Sequence, residues 1–345
     1  MITRTLDAGT SPPAAGFGPS RRPARWQSLL SQGVSSAEEL LDLLGLDPGA
    51  ADCSPNHFGF PIRVPRSFVS RMRPGDPRDP LLLQVLSRTA EGAEVDGWVA
   101  EPLEEARFSP VPGLLHKYRS RVLLVATGAC AIHCRYCFRR HFPYGEHAAA
   151  RWQPALDYVA GQPSIEEVIL SGGDPLSLRD SKLADLEQRL SSIPHVSRLR
   201  IHTRLPIVLP ERVDEGLLAW LGGSRLQTVM VVHCNHPNEI DPAVAAALGR
   251  LRDAGVMLLN QSVLLRGIND SSAILRDLSV ALFKAGVMPY YLHVMDRVAG
   301  ASHFDVPRSA AEHLIQEMRA TCSGYLVPTL VREEPGALSK TPLGA

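Results

Sequence analysis

From Val122 onward the chain repeats one pattern: a short β-branched, apolar run followed, in most cases, by a segment with helical spacing. The apolar runs are Val122–Ala126, Glu167–Leu170, Leu199–His202, Thr228–His233, Met257–Val263 and Pro289–Val294. Helical spacing is plain at Leu183–Leu190, Ala243–Leu251 and Ile274–Phe283. A strand that runs through a helix into another strand returns to the same sheet in parallel, by a right-handed crossover. Six such units predict an α/β fold built as an open, partial (β/α)6 barrel, with a doubly wound open sheet as the alternative.

The residues that follow each run are polar or of ligand type. The first run leads into a cysteine loop and the second into Ser171-Gly172-Gly173-Asp174-Pro175. The third is followed by Thr203-Arg204, the fourth ends in His233 before Cys234-Asn235-His236, the fifth carries Asn260-Gln261, and the sixth leads to Asp296. Parallel barrels place their chemistry at the C-terminal ends of the strands, so this distribution predicts an enzyme.

Within the cysteine loop, Cys130, Cys134 and Cys137 stand eight residues end to end. Three thiolates at that spacing can hold three irons of a cubic [4Fe-4S] cluster and leave the fourth iron open to a substrate or cofactor. The alternative is a zinc site completed by His133 or a distant group. The other cysteines, Cys53, Cys234 and Cys322, lie far apart and do not make a disulfide framework.

The C-x3-C-x2-C spacing resembles the signature of radical S-adenosylmethionine (SAM) enzymes. Its flanks, Thr127-Gly128-Ala129-Cys130 before and Phe138-Arg139-Arg140-His141-Phe142-Pro143-Tyr144 after, resemble the lysine 2,3-aminomutase family. The match is closest to the bacterial branch that makes β-lysine for translation elongation factor P, and it runs from about Asn56 to Pro342. The resemblance implies the open barrel, a cluster on the three cysteines, and SAM held by Gly172, Gly173, Asp174, His233 and Gln261. It implies pyridoxal phosphate (PLP) bound covalently to Lys340, within Ser339-Lys340-Thr341-Pro342, with Arg121 near the phosphate. Arg139 is expected to take the carboxylate of substrate lysine, and Asp296 and Glu333 its distal ammonium. Glu333 departs from the aspartate usual in the stand-alone lysine aminomutases. Those fermentative enzymes continue well beyond the PLP lysine, whereas this sequence ends five residues after it, as in the elongation-factor branch. The implied partners are free L-lysine, an electron donor such as flavodoxin or ferredoxin, and, functionally, elongation factor P with its lysyl ligase. The alternatives are another radical SAM enzyme without PLP, or a zinc-stabilised binding module.

Composition sets the remaining bounds. With 36 basic and 36 acidic residues, no global field favours nucleic acid or an anionic membrane. No apolar run approaches the roughly 20 residues that a membrane helix needs. Residues 1–25, rich in Pro, Gly, Ala and Arg, lack the apolar block of a secretory signal and predict a solvated arm. Residues 26–110 predict a helical and irregular lead-in packed on the main domain, opened by a capping box at Ser36-Ala37-Glu38-Glu39. Residues 111–323 would form the core and 324–345 a PLP-lysine segment. Free thiols and an exposed cluster suit a reducing cytoplasm.

Overall fold

The computed structural model describes residues 25–54, 57–144 and 152–344. All but Arg25 of the expected N-terminal arm therefore lies outside the described residues.

In the lead-in, the helix Ala37–Leu44 begins where the sequence predicts. Ser36 accepts a hydrogen bond from the Glu39 amide at 3.1 Å, and Gly45 closes the helix with φ of 63°. The reciprocal half of the capping box is not made, because the Glu39 carboxylate pairs with Arg66 instead. Leu40, Leu41 and Leu44 from this helix join Trp26, Phe68, Leu81, Leu82 and Val85 in one apolar core with the crossover helices.

One sheet of nine strands organises the molecule, and its strands lie in sequence order. They are β1 (Leu114–Tyr118), β2 (Arg121–Thr127), β3 (Glu167–Gly172), β4 (Arg198–Thr203), β5 (Gln227–His233), β6 (Met257–Val263), β7 (Met288–His293), β8 (Thr329–Arg332) and β9 (Thr341–Pro342). β2 to β8 run parallel, while β1 and β9 pair antiparallel at the two edges. The six predicted strands are present as β2 to β7. A seventh parallel strand and both edge strands were not foreseen, being too short to show a period of their own. β1 and β9 cover the open hydrogen-bonding edges that a parallel sheet otherwise exposes.

Residues in register explain how the sheet curves around a site. Leu124, Leu170, Ile201, Met230 and Leu258 align across β2 to β6, and all are buried in the core shared with the helices. Strand alternation turns their neighbours to the concave face, which explains the alternating burial of β4 and β6. The longer helices between the parallel strands are Gln153–Ala160, Asp180–Ser191, Glu215–Gly222, Pro242–Asp253, Ser272–Lys284 and Arg308–Thr321. The sheet does not close among the described residues. Its two ends meet through side chains, with Lys117 Nζ of β1 lying 3.3 Å from Glu333 Oε1, just past β8.

Candidate active site

A cavity of about 400 Å³ opens at the C-terminal ends of the parallel strands. It is lined by Cys130, Cys134 and Cys137, and by residues at the end of, or just past, every strand from β2 to β8. The sequence-predicted residues Arg139, Gly172, Gly173, Asp174, His233, Gln261, Asp296, Glu333 and Lys340 all reach its wall. Arg121 is not among the lining residues. It sits at the entry end of β2, where its guanidinium stacks 4.4 Å from the Tyr118 ring.

The cysteine loop is fastened to the lead-in. His133 N–H donates to Arg63 O and Arg135 N–H to Gln84 O, both at 2.9 Å. The buried Glu91 accepts from Arg135 and from Arg140, so one carboxylate braces the loop on both sides of Cys137. His133, the alternative metal ligand, directs Nδ1 to Pro61 O at 2.8 Å and stacks on Phe60. Burial raises the Cys130 thiol well above its ordinary value and pushes Cys137 up to about 11, with neighbouring cysteines adding to both. Metal binding must therefore displace protons from these sulfurs. Among the described residues no group of three or more His, Cys, Asp or Glu side chains is placed to hold a single metal ion. A cubic cluster asks for less convergence, since each thiolate takes its own iron. Three thiols on one cavity wall fit that requirement.

Gly172 and Gly173 serve the packing of two loops. Gly172 has φ of 115°, and a Cβ there would lie 2.5 Å from Thr127 O; one on Gly173 would lie 2.4 Å from Ala129 O. The amides of Gly173 and Asp174 donate to those same two carbonyls at 2.7 Å. Glycine is thus required because the β3 loop lies against the cysteine loop backbone to backbone. Asp174 continues the join. Its Oδ1 accepts from Leu176 N and Thr203 Oγ1, and its Oδ2 from Arg204 N and Leu205 N. The carboxylate locks the β3 and β4 loops together.

Deeper in the cavity, Gln261 Nε2 and His233 Nε2 lie 2.8 Å apart. Burial, and then the charge of Arg204, lowers His233 to about 3, so its imidazole is neutral and Gln261 donates to it. His202 and His293 also line the cavity, and the Nε2 of each is buried without a hydrogen-bond partner. Two orphaned acceptor or donor atoms in one cavity suit a polar cofactor.

Charged residues gather around Glu333. Lys340 donates to Glu333 Oε2, and Lys117 to Glu333 Oε1. Burial alone would raise Glu333, but Lys340 and Lys117 hold it down at about 2. Asp296 is pushed up to about 7, first by burial and then by Glu333. The tail that carries Lys340 is held by backbone pairing, with Val331 opposite Pro342 and Leu343 N donating to Leu330 O at 2.9 Å. Leu343 is buried beside Ile315 and Met318. A lysine amine next to such a fixed strand, 20% exposed and lining the cavity, fits attachment of an aldehyde cofactor.

The fork of Arg139 is already engaged. Nε and Nη2 each donate at 2.8 Å to Glu105, while Nη1 meets Ser171 Oγ and Gly172 O. The expected bidentate grip on a substrate carboxylate would need that planar edge. Glu105 is held low by Arg139 against the effect of burial, so it stands as a carboxylate. Sequence reading gave no role to Glu105, Lys117, His202 or His293, and noted Arg204 only as a polar residue after the third predicted strand. His202 and Arg204 stand at a strand end, where a role could have been sought, whereas Glu105 and Lys117 lie upstream of every motif.

No protein-family model matches the chain. Among curated proteins it is 51% identical to an L-lysine 2,3-aminomutase of Escherichia coli strain K12, over 92% of this chain and 94% of that one. It is 48% identical to the enzyme of the same description from Haemophilus influenzae, over 93% and 96%, and 37% identical to that of Clostridium subterminale, over 92% and 77%. A cavity ringed by the strand ends of an open barrel, with three cysteines on one wall and a fixed lysine on another, is thus carried on a sequence half identical to a curated aminomutase. The chain belongs to the lysine 2,3-aminomutase family, and it is an isomerase.

Proposed function

We propose that this protein is a radical SAM, PLP-dependent aminomutase that moves the amino group of free L-lysine from C2 to C3, forming β-lysine for attachment to elongation factor P. The observation that carries this reading is convergence: one cavity of about 400 Å³ is lined by Cys130, Cys134 and Cys137 and also by Arg139, Asp296, Glu333 and Lys340. The three cysteines would hold the [4Fe-4S] cluster, and SAM would lie against Gly172, Gly173, His233 and Gln261. Asp174 would act indirectly, by fixing the β3 loop through its four hydrogen bonds. Lys340 would hold PLP. Arg121 would reach the cofactor only through its neighbours, since it stands outside the lining residues. When bound, the cluster and SAM supply hydrogen-abstracting radical chemistry and PLP carries the migrating amino group.

The chain's own groups then bind and orient the substrate. Asp296 and Glu333 offer carboxylate oxygens to the distal ammonium, and Lys117 stays on Glu333 Oε1 to keep that carboxylate in place. Arg139 would meet the substrate carboxylate through Nη1, which now rests on Ser171 Oγ and Gly172 O, while Glu105 keeps Nε and Nη2 and so fixes the side chain in place of a bidentate grip. Leu103, Phe138 and Met295 contribute apolar wall, which limits competing reactions with water. Electron delivery by flavodoxin or ferredoxin in a reducing cytoplasm, and passage of β-lysine to the lysyl ligase, belong to the same proposal. Among the described residues no helix is long and apolar enough to cross a membrane.

An anaerobic assay with lysine, SAM, PLP and a reductant tests this reading. The expected result is β-lysine, with a PLP absorbance that is lost in Lys340→Ala. SAM cleavage with neither β-lysine nor a PLP chromophore would establish the alternative of a radical SAM enzyme without PLP.

A further inference from the structure

Arg204 is the residue whose placement the binding roles above leave unexplained. It follows β4, is 5% exposed, and directs Nη1 to Cys134 Sγ at 2.8 Å. Its Nη2 donates to Gln84 Oε1 at 2.6 Å and to Glu239 Oε2 at 3.0 Å. The guanidinium also lies 5.3 Å from the centre of the Phe68 ring and 5.7 Å from that of Tyr136, so ring contacts add to its hydrogen bonds. Glu239 is fully buried, and its other oxygen accepts from the amides of Asn235 and His236. Gln84, in turn, anchors the cysteine loop through its own carbonyl.

A buried ion pair of this kind carries a desolvation cost and is weak evidence of stabilisation. Its one unusual contact is with a sulfur. Cys137 accepts a backbone N–H from Arg139, and among the described residues neither Cys137 nor Cys130 accepts a side-chain hydrogen bond. The three sulfurs are therefore unequal: Cys134 accepts a hydrogen bond from a cationic side chain, whereas Cys137 senses the side chains of Arg139 and Arg140, and Cys130 that of Arg63, only through their charge. Hydrogen bonds to the sulfurs are among the factors that set the potential of an iron–sulfur cluster. A cationic N–H donor draws charge from the thiolate and favours the form that carries the extra electron.

We infer that Arg204, braced by Glu239 and Gln84, is a positioning residue that sets the reduction potential of the cluster through its hydrogen bond to Cys134. The electron comes from an external one-electron donor and adds to the cluster; Arg204 neither gains nor loses a proton and forms no bond to iron. The effect is on how readily that electron is accepted before SAM is cleaved. This inference rests on the cluster reading of Cys130, Cys134 and Cys137.

The test is a redox titration of the reconstituted protein followed by electron paramagnetic resonance, with iron and sulfide measured on every sample. Absence of iron and sulfide in the parent would sink the cluster reading itself, before Arg204 is considered. With the parent loaded, Arg204→Met should lower the ratio of reduced to oxidised cluster at a fixed potential by about tenfold, a shift of about 59 mV for a one-electron couple. Arg204→Lys should recover part of that loss. A fully loaded Arg204→Met cluster that titrates with the parent overturns the inference. Should Arg204→Met fail to load, Arg204→Gln, which keeps a polar N–H donor but no charge, decides by the same criterion. If both variants fold by circular dichroism yet neither loads, Arg204 is a brace for the loop and the inference is wrong.

Discussion

Lys340 donates to Glu333 Oε2, so the amine proposed to carry PLP and a carboxylate proposed to receive the substrate ammonium are already one ion pair. The two residues belong to the turn between β8 and β9, and the short antiparallel pairing of those strands sets their distance. Glu333 keeps a second lysine, Lys117, on its other oxygen. Cofactor attachment at Lys340 would therefore loosen the contact at Glu333 Oε2 while Oε1 stays tethered to Lys117.

Borohydride reduction of the PLP-loaded protein should fix a pyridoxyl group on the peptide Ser339-Lys340-Thr341. Lys117 is the structural rival, because it touches the same carboxylate. Label on Lys117, Lys182 or Lys284 would refute the assignment. Lys340→Ala should lose aminomutase turnover and keep some uncoupled SAM cleavage, because the cysteines stand on a different wall.

Neutralising Glu333 or Asp296 should chiefly weaken lysine binding, since the ammonium contact is similar in ground and transition states. A charge-assisted contact to a buried ammonium is worth about 2–4 kcal/mol, hence roughly 30- to 1000-fold in kcat/KM. Glu333→Gln and Asp296→Asn should express this as a raised KM, with the cluster spectrum unchanged. Parent-like kinetics in both variants would place lysine specificity elsewhere.

Asp296 also makes a prediction about pH. Its carboxyl, pushed up to about 7 by burial and then by Glu333, keeps a proton in the folded state that the unfolded chain releases at about 3.9. That contribution is fully present below the unfolded value and is lost as pH rises through about 7. Asp296→Asn should therefore gain stability over the parent between pH 4 and pH 8, by about 1–4 kcal/mol. Urea unfolding of the cofactor-free protein at both pH values measures this, and an unchanged difference would disprove it.

Each of Cys130→Ala, Cys134→Ala and Cys137→Ala should abolish SAM cleavage, and Cys53→Ala should not. Cys53 lies in the lead-in, where its backbone bridges Arg88, and it is not among the residues lining the cavity. Retained cleavage in two of the three loop variants would rule out the cluster assignment.

Glu105→Gln removes half of the two-point hold on Arg139. Hydrogen bonds to charged groups contribute about 1.5–3 kcal/mol, so the variant should raise the KM for lysine by roughly tenfold or more. Iron content should not change, and Glu105→Asp should restore part of the affinity. An unaltered KM would mean that Arg139 needs no second anchor.

The barrel was legible in the sequence because each parallel strand buries one face on the helices, and that burial writes an apolar run at every repeat. The proposed site was legible for a related reason: groups that meet at one end of such a sheet stand at or past the strand ends one after another, as Cys130, Gly172, His233 and Asp296 do. Lys340 was found by resemblance, not by periodicity. It stands in the turn just before β9, which is only two residues long and has no pattern to read. Arg121 shows the opposite case, a residue that resemblance puts beside the cofactor and that strand direction puts at the far end of β2. Contacts across the open side of the sheet depended on tertiary structure entirely. Glu105 reaches Arg139 34 residues later, and Lys117 reaches Glu333 216 residues later. Local sequence carries the strand period and the motif spacing. Only the curvature of the whole sheet decides which distant charges it brings face to face.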